Sequence, residues 1–199
     1  MLNHNAQSLP PDALPGYGHI KRYWDCHNNN FVAKILPGEY YVTRHDEILI
    51  TIVGSCVSAC IRDSVSGIGG MNHFMLPHVI LDKWKRNKVC MASRYGSFAM
   101  ECLINEILKY GGYWENLEVK LFGGGCIIEN MMNIGQKNID FVKAYLQTEN
   151  LTLLAEDLGD IYPRKILFSP VNGRVRVKKL RAQQRIIKAE SVYQRYLET

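Results

Sequence analysis

No stretch of this 199-residue chain approaches the roughly 20 consecutive apolar residues that a membrane span requires, although 47% of its residues are apolar. Residues Met1 to Ser8 have neither the basic start nor the apolar centre of a secretory signal. CxxC is absent among the six cysteines, at positions 26, 56, 60, 90, 102 and 126. Cys56 and Cys60 lie on one expected strand, where roughly 3.3 Å per residue separates their Cα atoms by about 13 Å, beyond the roughly 7 Å limit for a disulfide. The cysteines therefore read as reduced thiols, and a cytoplasmic location is expected. There is no internal repeat, which argues against solenoids and propellers. Phe122-Gly123-Gly124-Gly125-Cys126 lacks both the Gly-Lys-Ser/Thr ending of a P-loop and the GxGxxG spacing of a dinucleotide site. His73 and His78 flank Pro77 and are not expected to present two metal ligands from a helix.

Charge is less selective. The formal net charge is +5, and Arg174, Arg176, Lys178, Lys179, Arg181, Arg185 and Lys188 are concentrated near the C-terminus. A solvated strand face followed by an exposed helix accounts for this run better than a nucleic-acid surface does.

What the chain does contain is a stretch from Ile52 to Pro77 that reads as a β-hairpin carrying a cysteine and a histidine. Val57, Ala59 and Ile61 alternate with Ser58, Cys60 and Arg62, the pattern of a two-faced strand. A second extended run, Ile68 to Met75, follows the loop-forming Asp63-Ser64-Val65-Ser66. Pairing Arg62 with Gly67 sets Cys56 opposite His73, and opposed residues have Cβ atoms roughly 4.5–5.5 Å apart on one face. An imidazole at that distance can take the thiol proton and stabilise the thiolate, as a cysteine nucleophile requires. Gly54 allows close approach of a substrate, and backbone N–H groups of Gly54-Ser55-Cys56 would face a developing oxyanion. On residue types alone, a buried core cysteine with a satisfied histidine fits the same stretch equally well.

Gly54-Ser55-Cys56-Val57, Gly69-Gly70-Met71-Asn72-His73-Phe74-Met75-Leu76-Pro77 and their spacing resemble the CheD family of chemoreceptor glutamine deamidases. Further matching pieces are Arg22-Tyr23-Trp24-Asp25, Leu36 to Thr43, Lys120 to Gly125, Asn133 to Asn138, Ala155 to Gly159 and Gly173-Arg174-Val175. They fall in the expected order over roughly residues 20 to 180, so the ordered set is far more specific than any one piece.

The resemblance implies that Cys56 is a nucleophile and His73 its base. A threonine shortly before the cysteine orients the histidine in that family. Six residues before Cys56 stands Ile50 and five before stands Thr51, so Thr51 is the candidate for the third role. The implied activity is protein-glutamine deamidation in chemotaxis adaptation, through a γ-glutamyl thioester and with no cofactor. The implied partners are the cytoplasmic domains of methyl-accepting chemoreceptors and a CheC-type phosphatase. The alternative reading is a regulatory partner of that phosphatase with little catalytic activity, and a general thiol amidase is a third. A basic surface would speed encounter with acidic receptor helices.

The expected fold is α/β, a layered sandwich with helices packed on a mostly antiparallel mixed β-sheet. Strands are expected near 39–43, 47–53, 56–62, 68–75, 117–122, 151–155, 165–169 and 174–179. Helices are expected over Ser93–Tyr110, with Phe98 on the apolar side, Gly135–Gln147 and Ala182–Leu197. The expected organisation is an extension over 1–30, partly ordered, a deamidase-like domain over 31–180 and a basic amphipathic helix over 181–199.

Overall fold

The computed structural model of the protein describes residues 9–76, 87–127, 132–181, 188, 190–193 and 195. Among the described residues, ten strands form two five-stranded sheets. The first sheet has the order β1 (Lys21–Asp25), β2 (Asn30–Lys34), β4 (Glu47–Val53), β9 (Arg164–Phe168), β10 (Val175–Lys179). The second has the order β3 (Tyr40–Thr43), β6 (Gly69–Asn72), β5 (Val57–Asp63), β7 (Leu117–Gly123), β8 (Thr152–Leu158). Each sheet contains one parallel pair, β2 with β4 and β7 with β8, and is otherwise antiparallel. Two helices, α1 (Asn87–Lys109) and α2 (Met132–Thr148), pack on the second sheet. The layered α/β sandwich is therefore the one expected, with its strands divided between two sheets.

One apolar cluster joins all the layers. It takes Leu49, Val53, Ile166 and Phe168 from the first sheet and Val57, Ala59, Ile61, Val119 and Leu121 from the second. From the helices it takes Met100, Leu103, Ile104, Ile107, Val142 and Leu146, which recur at the spacing of a single helical face. Phe98 departs from that expectation, for it is 64% exposed on the other side of α1.

β4 is buried on both faces, which explains its near-continuous apolar sequence. Ile48 and Ile50 join Val32 and Leu167 in a separate small cluster, while Leu49 and Val53 point into the main core. Side chains alternate along a strand, so Thr51 shares the inner face with Leu49 and Val53.

β1 and β2 form a hairpin that the sequence pattern did not disclose. Asn29 takes a left-handed φ of 47° at its turn, and the Asp25 carboxylate accepts bonds from the His27 N–H and the Asn28 amide. The Asn28-Asn29-Asn30 run is thus a turn with specific partners. A buried ion pair, Arg22 with Glu47, ties β1 to β4, and the Tyr41 hydroxyl donates to the same carboxylate at 2.8 Å, reaching into the other sheet.

The 171–173 turn agrees with its sequence signal. β9 and β10 pair antiparallel around it, Gly173 has a φ of 70°, and the Arg174 N–H donates to the Asn172 side chain. The helix expected over 182–197 is described only at 188, 190–193 and 195, where it is helical. His78 and the N-terminal residues 1–8 lie outside the described residues.

Candidate active site

The hairpin that carries Cys56 and His73 is two residues out of the expected register. Arg62 pairs with Gly69, Ile61 with Gly70 and Cys60 with Met71, and an isolated bridge joins Val57 to Phe74. The cause lies in the loop. Asp63 N–H donates to Ile68 O, and the Asp63 carboxylate accepts N–H bonds from Val65 and Ser66 at 2.8 Å each. This side-chain-capped turn moves Gly67, at φ 72°, into the loop and delays pairing by two residues. A two-residue slip preserves which face each side chain occupies. Cys56 and His73 are therefore diagonal neighbours, not directly opposed.

Neither residue lies within a strand. Cys56 ends the Gly54-Ser55-Cys56 bend ahead of β5, and His73 directly follows β6. His73 is tied at both backbone groups, its N–H donating to Glu39 O and its carbonyl accepting from Gly38 N–H. The bend is braced from beneath by the glycine run after β7. Gly124 N–H donates to Cys56 O at 2.8 Å and Gly125 N–H to Gly54 O at 2.6 Å. Gly123 and Gly124 reach those positions with φ values of 112° and 67°, which side chains other than hydrogen rarely permit. Because these N–H groups are spent on the bend, the run is a backbone support and not a phosphate cradle.

Asn138, fully buried on α2, links the two arms of the site. Its Nδ2 donates to Ser55 O and its Oδ1 accepts from Leu76 N–H, both at 2.8 Å. Asn72, the last residue of β6, does similar work, accepting from Ala59 N–H and donating to Ala99 O of α1. The sequence marks Asn138 only as part of a motif, because its two partners lie far from it along the chain.

The histidine is oriented by Thr51. The Thr51 hydroxyl donates to Ile35 O at 2.8 Å, and the same oxygen is 2.8 Å from His73 Nδ1. Having given its only proton to the carbonyl, Oγ1 is left to accept from Nδ1–H. That places the other nitrogen, Nε2, as the unprotonated one. Nε2 is buried with no hydrogen-bond partner among the described residues, and a His73 ring nitrogen lies within 4.8 Å of Cys56 Sγ. The five residues singled out in the sequence, Thr51, Gly54, Ser55, Cys56 and His73, thus lie together. Ile50, at the position where the family resemblance puts the threonine, points into the outer cluster, away from His73.

A sixth residue completes the constellation and was not anticipated. Glu190, from the C-terminal helical segment, presents its carboxylate to the bend. Oε1 accepts from Gly54 N–H at 2.6 Å and, more distantly, from Cys56 N–H at 3.4 Å. Oε2 accepts from Ser55 N–H at 2.9 Å and from the Ser55 hydroxyl at 2.6 Å. Cys56, His73 and Glu190 are also a donor set of the kind zinc takes, within 4.8 Å of one another. The convergence of N–H and O–H donors on both oxygens instead marks a cradle for a carboxylate or an oxyanion.

In this arrangement Cys56 and His73 are both neutral. Burial first, and then the Glu190 carboxylate, push the Cys56 thiol well above the ordinary thiol range. Burial pulls His73 down to about 3. The thiolate expected from the sequence is not the resting state of the covered site.

The model of the family described as CheD chemotactic sensory transduction matches residues 75–179. A probable chemoreceptor glutamine deamidase CheD of Halorhodospira halophila is 54% identical over 172 residues, spanning 85% of this chain and 80% of that protein. One from Hahella chejuensis is 48% identical over 173 residues, covering 87% and 82%. One from Methylobacillus flagellatus is 56% identical over 161 residues, covering 80% and 79%. A match over more than half of the chain, and identities of this size over most of both proteins, lead to one conclusion: the chain belongs to the CheD family.

Proposed function

We propose that this protein is a chemoreceptor glutamine deamidase acting in the cytoplasm, with Cys56 as nucleophile, His73 as general base and acid, and Thr51 as the group that orients the histidine. Cys56 Sγ attacks Cδ of a receptor glutamine as its proton passes to His73 Nε2. The carbonyl oxygen takes the negative charge among the N–H groups of Gly54, Ser55 and Cys56. Collapse breaks the C–N bond, His73 returns the proton to nitrogen, and ammonia leaves a γ-glutamyl thioester. Water, deprotonated by His73, then adds to the thioester carbon. The C–S bond breaks, and glutamate and the thiol are released. Every step uses side chains and backbone of this chain, with no metal or organic cofactor.

The observation that carries this reading is the convergence of backbone N–H donors beside a thiol whose histidine neighbour is held with its free nitrogen unprotonated. Incubating a receptor cytoplasmic fragment with the protein, followed by peptide mapping, should give a gain of about 1 Da at defined glutamines. Cys56→Ala should abolish the gain while leaving receptor binding intact. Absence of any mass change with the unaltered protein would defeat the proposal. Regulatory binding to a CheC-type phosphatase is a second reading, favoured by the complete burial of Cys56, which leaves the covered form able to act only by binding.

A further inference from the structure

A glutamine on another protein has to reach Cys56 and His73, yet Cys56 has no exposed surface and His73 only 2%. Among the described residues, a group standing in the way is Glu190, itself 2% exposed and separated by 134 to 136 residues from the backbone it binds. Its helix is seated a turn further on by Tyr193, whose hydroxyl meets that of Tyr95 on α1 and whose ring lies against Gly38. Gly38 is the residue whose N–H holds the His73 carbonyl, so the helix rests on both halves of the site. A side chain at Gly54 would run into Ile127 and the Glu190 carboxylate, which shows how closely the segment is fitted there.

Resting on the deamidase reading above, we infer that Glu190 is an intramolecular product analogue: the C-terminal helix docks it where a substrate glutamine reacts, and a receptor helix must displace it. A glutamate side chain is the product that deamidation leaves, and Glu190 offers that group to the same donors that would face the oxyanion. The cradle suits a carboxylate better than a carboxamide. All the donors around Glu190 point at acceptor oxygens, whereas the amide nitrogen of a glutamine would turn its own hydrogens towards one pair of them. A neutral substrate is therefore held less well than Glu190 until negative charge develops on its carbonyl, which is the discrimination a catalyst needs. Because Glu190 is presented from helical backbone, the partner that replaces it is a helix carrying its reacting residue on one face.

The test uses the full chain and a thiol-alkylating reagent, with labelling at Cys56 read by peptide mapping. Glu190→Ala, and independently Tyr193→Ala, should speed Cys56 labelling at least about tenfold, as expected when a local closing equilibrium is lost. Both should raise the initial rate on a receptor fragment. Glu190→Gln should gain about 1 Da at position 190 on standing without receptor, and should not do so when combined with Cys56→Ala. Labelling equal in all variants would overturn the inference. So would protection of Cys56 that vanishes on adding a chelator, which would make the trio a metal site. Receptor deamidation by the unaltered protein, with labelling unchanged by either substitution, would remove the plug and keep the enzyme. Faster labelling, with no mass gain at position 190 or on any receptor glutamine, would sink the deamidase reading and keep Glu190 only as a cover.

Discussion

At the scale of single residues, the site turns on which way β4 alternates. Thr51 faces inward with Leu49 and Val53, whereas Ile50 is taken up by the outer cluster with Val32 and Leu167. The strand's period of two thus supplies a hydroxyl to His73 Nδ1 at the fifth residue before Cys56, with no bulge needed to turn it. In the proposed mechanism Thr51 acts through the histidine, so its loss should lower turnover and leave substrate affinity largely unchanged. Thr51→Val should reduce kcat about 10- to 100-fold, a fraction of the 10²–10⁴ that a positioned acid–base group supplies, with KM little altered. Thr51→Ser should restore most of the rate. A kcat equal to that of the unaltered protein in Thr51→Val would show that packing alone holds the imidazole.

Among elements, a strand largely exposed to solvent is anchored by a deeply buried carboxylate. β1 has no fully buried residue, yet its Arg22 reaches Glu47, which has no exposed surface and also accepts from Tyr41. The network joins β1, β3 and β4, and β4 carries Thr51 four residues further along. Removing one member of a buried pair leaves the other charge without compensation, which costs more than the pair itself contributes. Arg22→Ala should therefore destabilise the fold by about 3–5 kcal/mol in urea unfolding. The double replacement Arg22→Met with Glu47→Leu should recover most of the loss. A change below about 1 kcal/mol in Arg22→Ala would mean that water reaches Glu47 freely. Glu156 and Asp157 show the same division on a smaller scale. Adjacent on β8, they point opposite ways, Glu156 to Lys143 of α2 and Asp157 to Arg164 of β9.

For the whole molecule, burying a neutral imidazole makes stability depend on acid. His73 is held down to about 3 in the folded protein, against about 6.5 for an unhindered histidine. Between those values the unfolded chain binds the proton and the folded one does not, so stability rises with pH through this window and is lost as pH falls from 6.5. The contribution of this one group by pH 5 is about 2 kcal/mol. Cys56 acts at the other end, where the unfolded thiol ionises and the buried one stays neutral, lowering stability as pH rises above the usual thiol range. Urea unfolding at pH 7 and pH 5 should show the acid loss, and His73→Asn should remove that part of the slope. An unchanged slope in His73→Asn would assign the acid sensitivity to the carboxylates.

Much of this was readable in the chain before any tertiary contact was known. The apolar run at 47–53, the alternation along 57–61, the Val171-Asn172-Gly173 turn and the helical spacing in α1 and α2 are local properties, set by backbone geometry and burial. The proximity of Cys56 and His73 was also local, because a slip of two residues leaves every side chain on its own face. What sequence did not disclose depends on partners far along the chain. An asparagine run reads the same whether it is a loose lead or the β1–β2 turn, until β4 arrives to pair with β2. Asp63 sets the hairpin register through its own turn hydrogen bonds, which a count of loop residues does not contain. Glu190 carries no local signal and Asn138 only its place in a motif, since a helical glutamate and a buried amide gain their meaning from backbone groups at 54–56 and 76. The sequence by itself determined most of the elements and the nearness of Cys56 to His73, because both follow from short-range periodicity. Only the tertiary structure decided what orients the histidine and what covers the thiol, because those groups meet through folding and not through the chain.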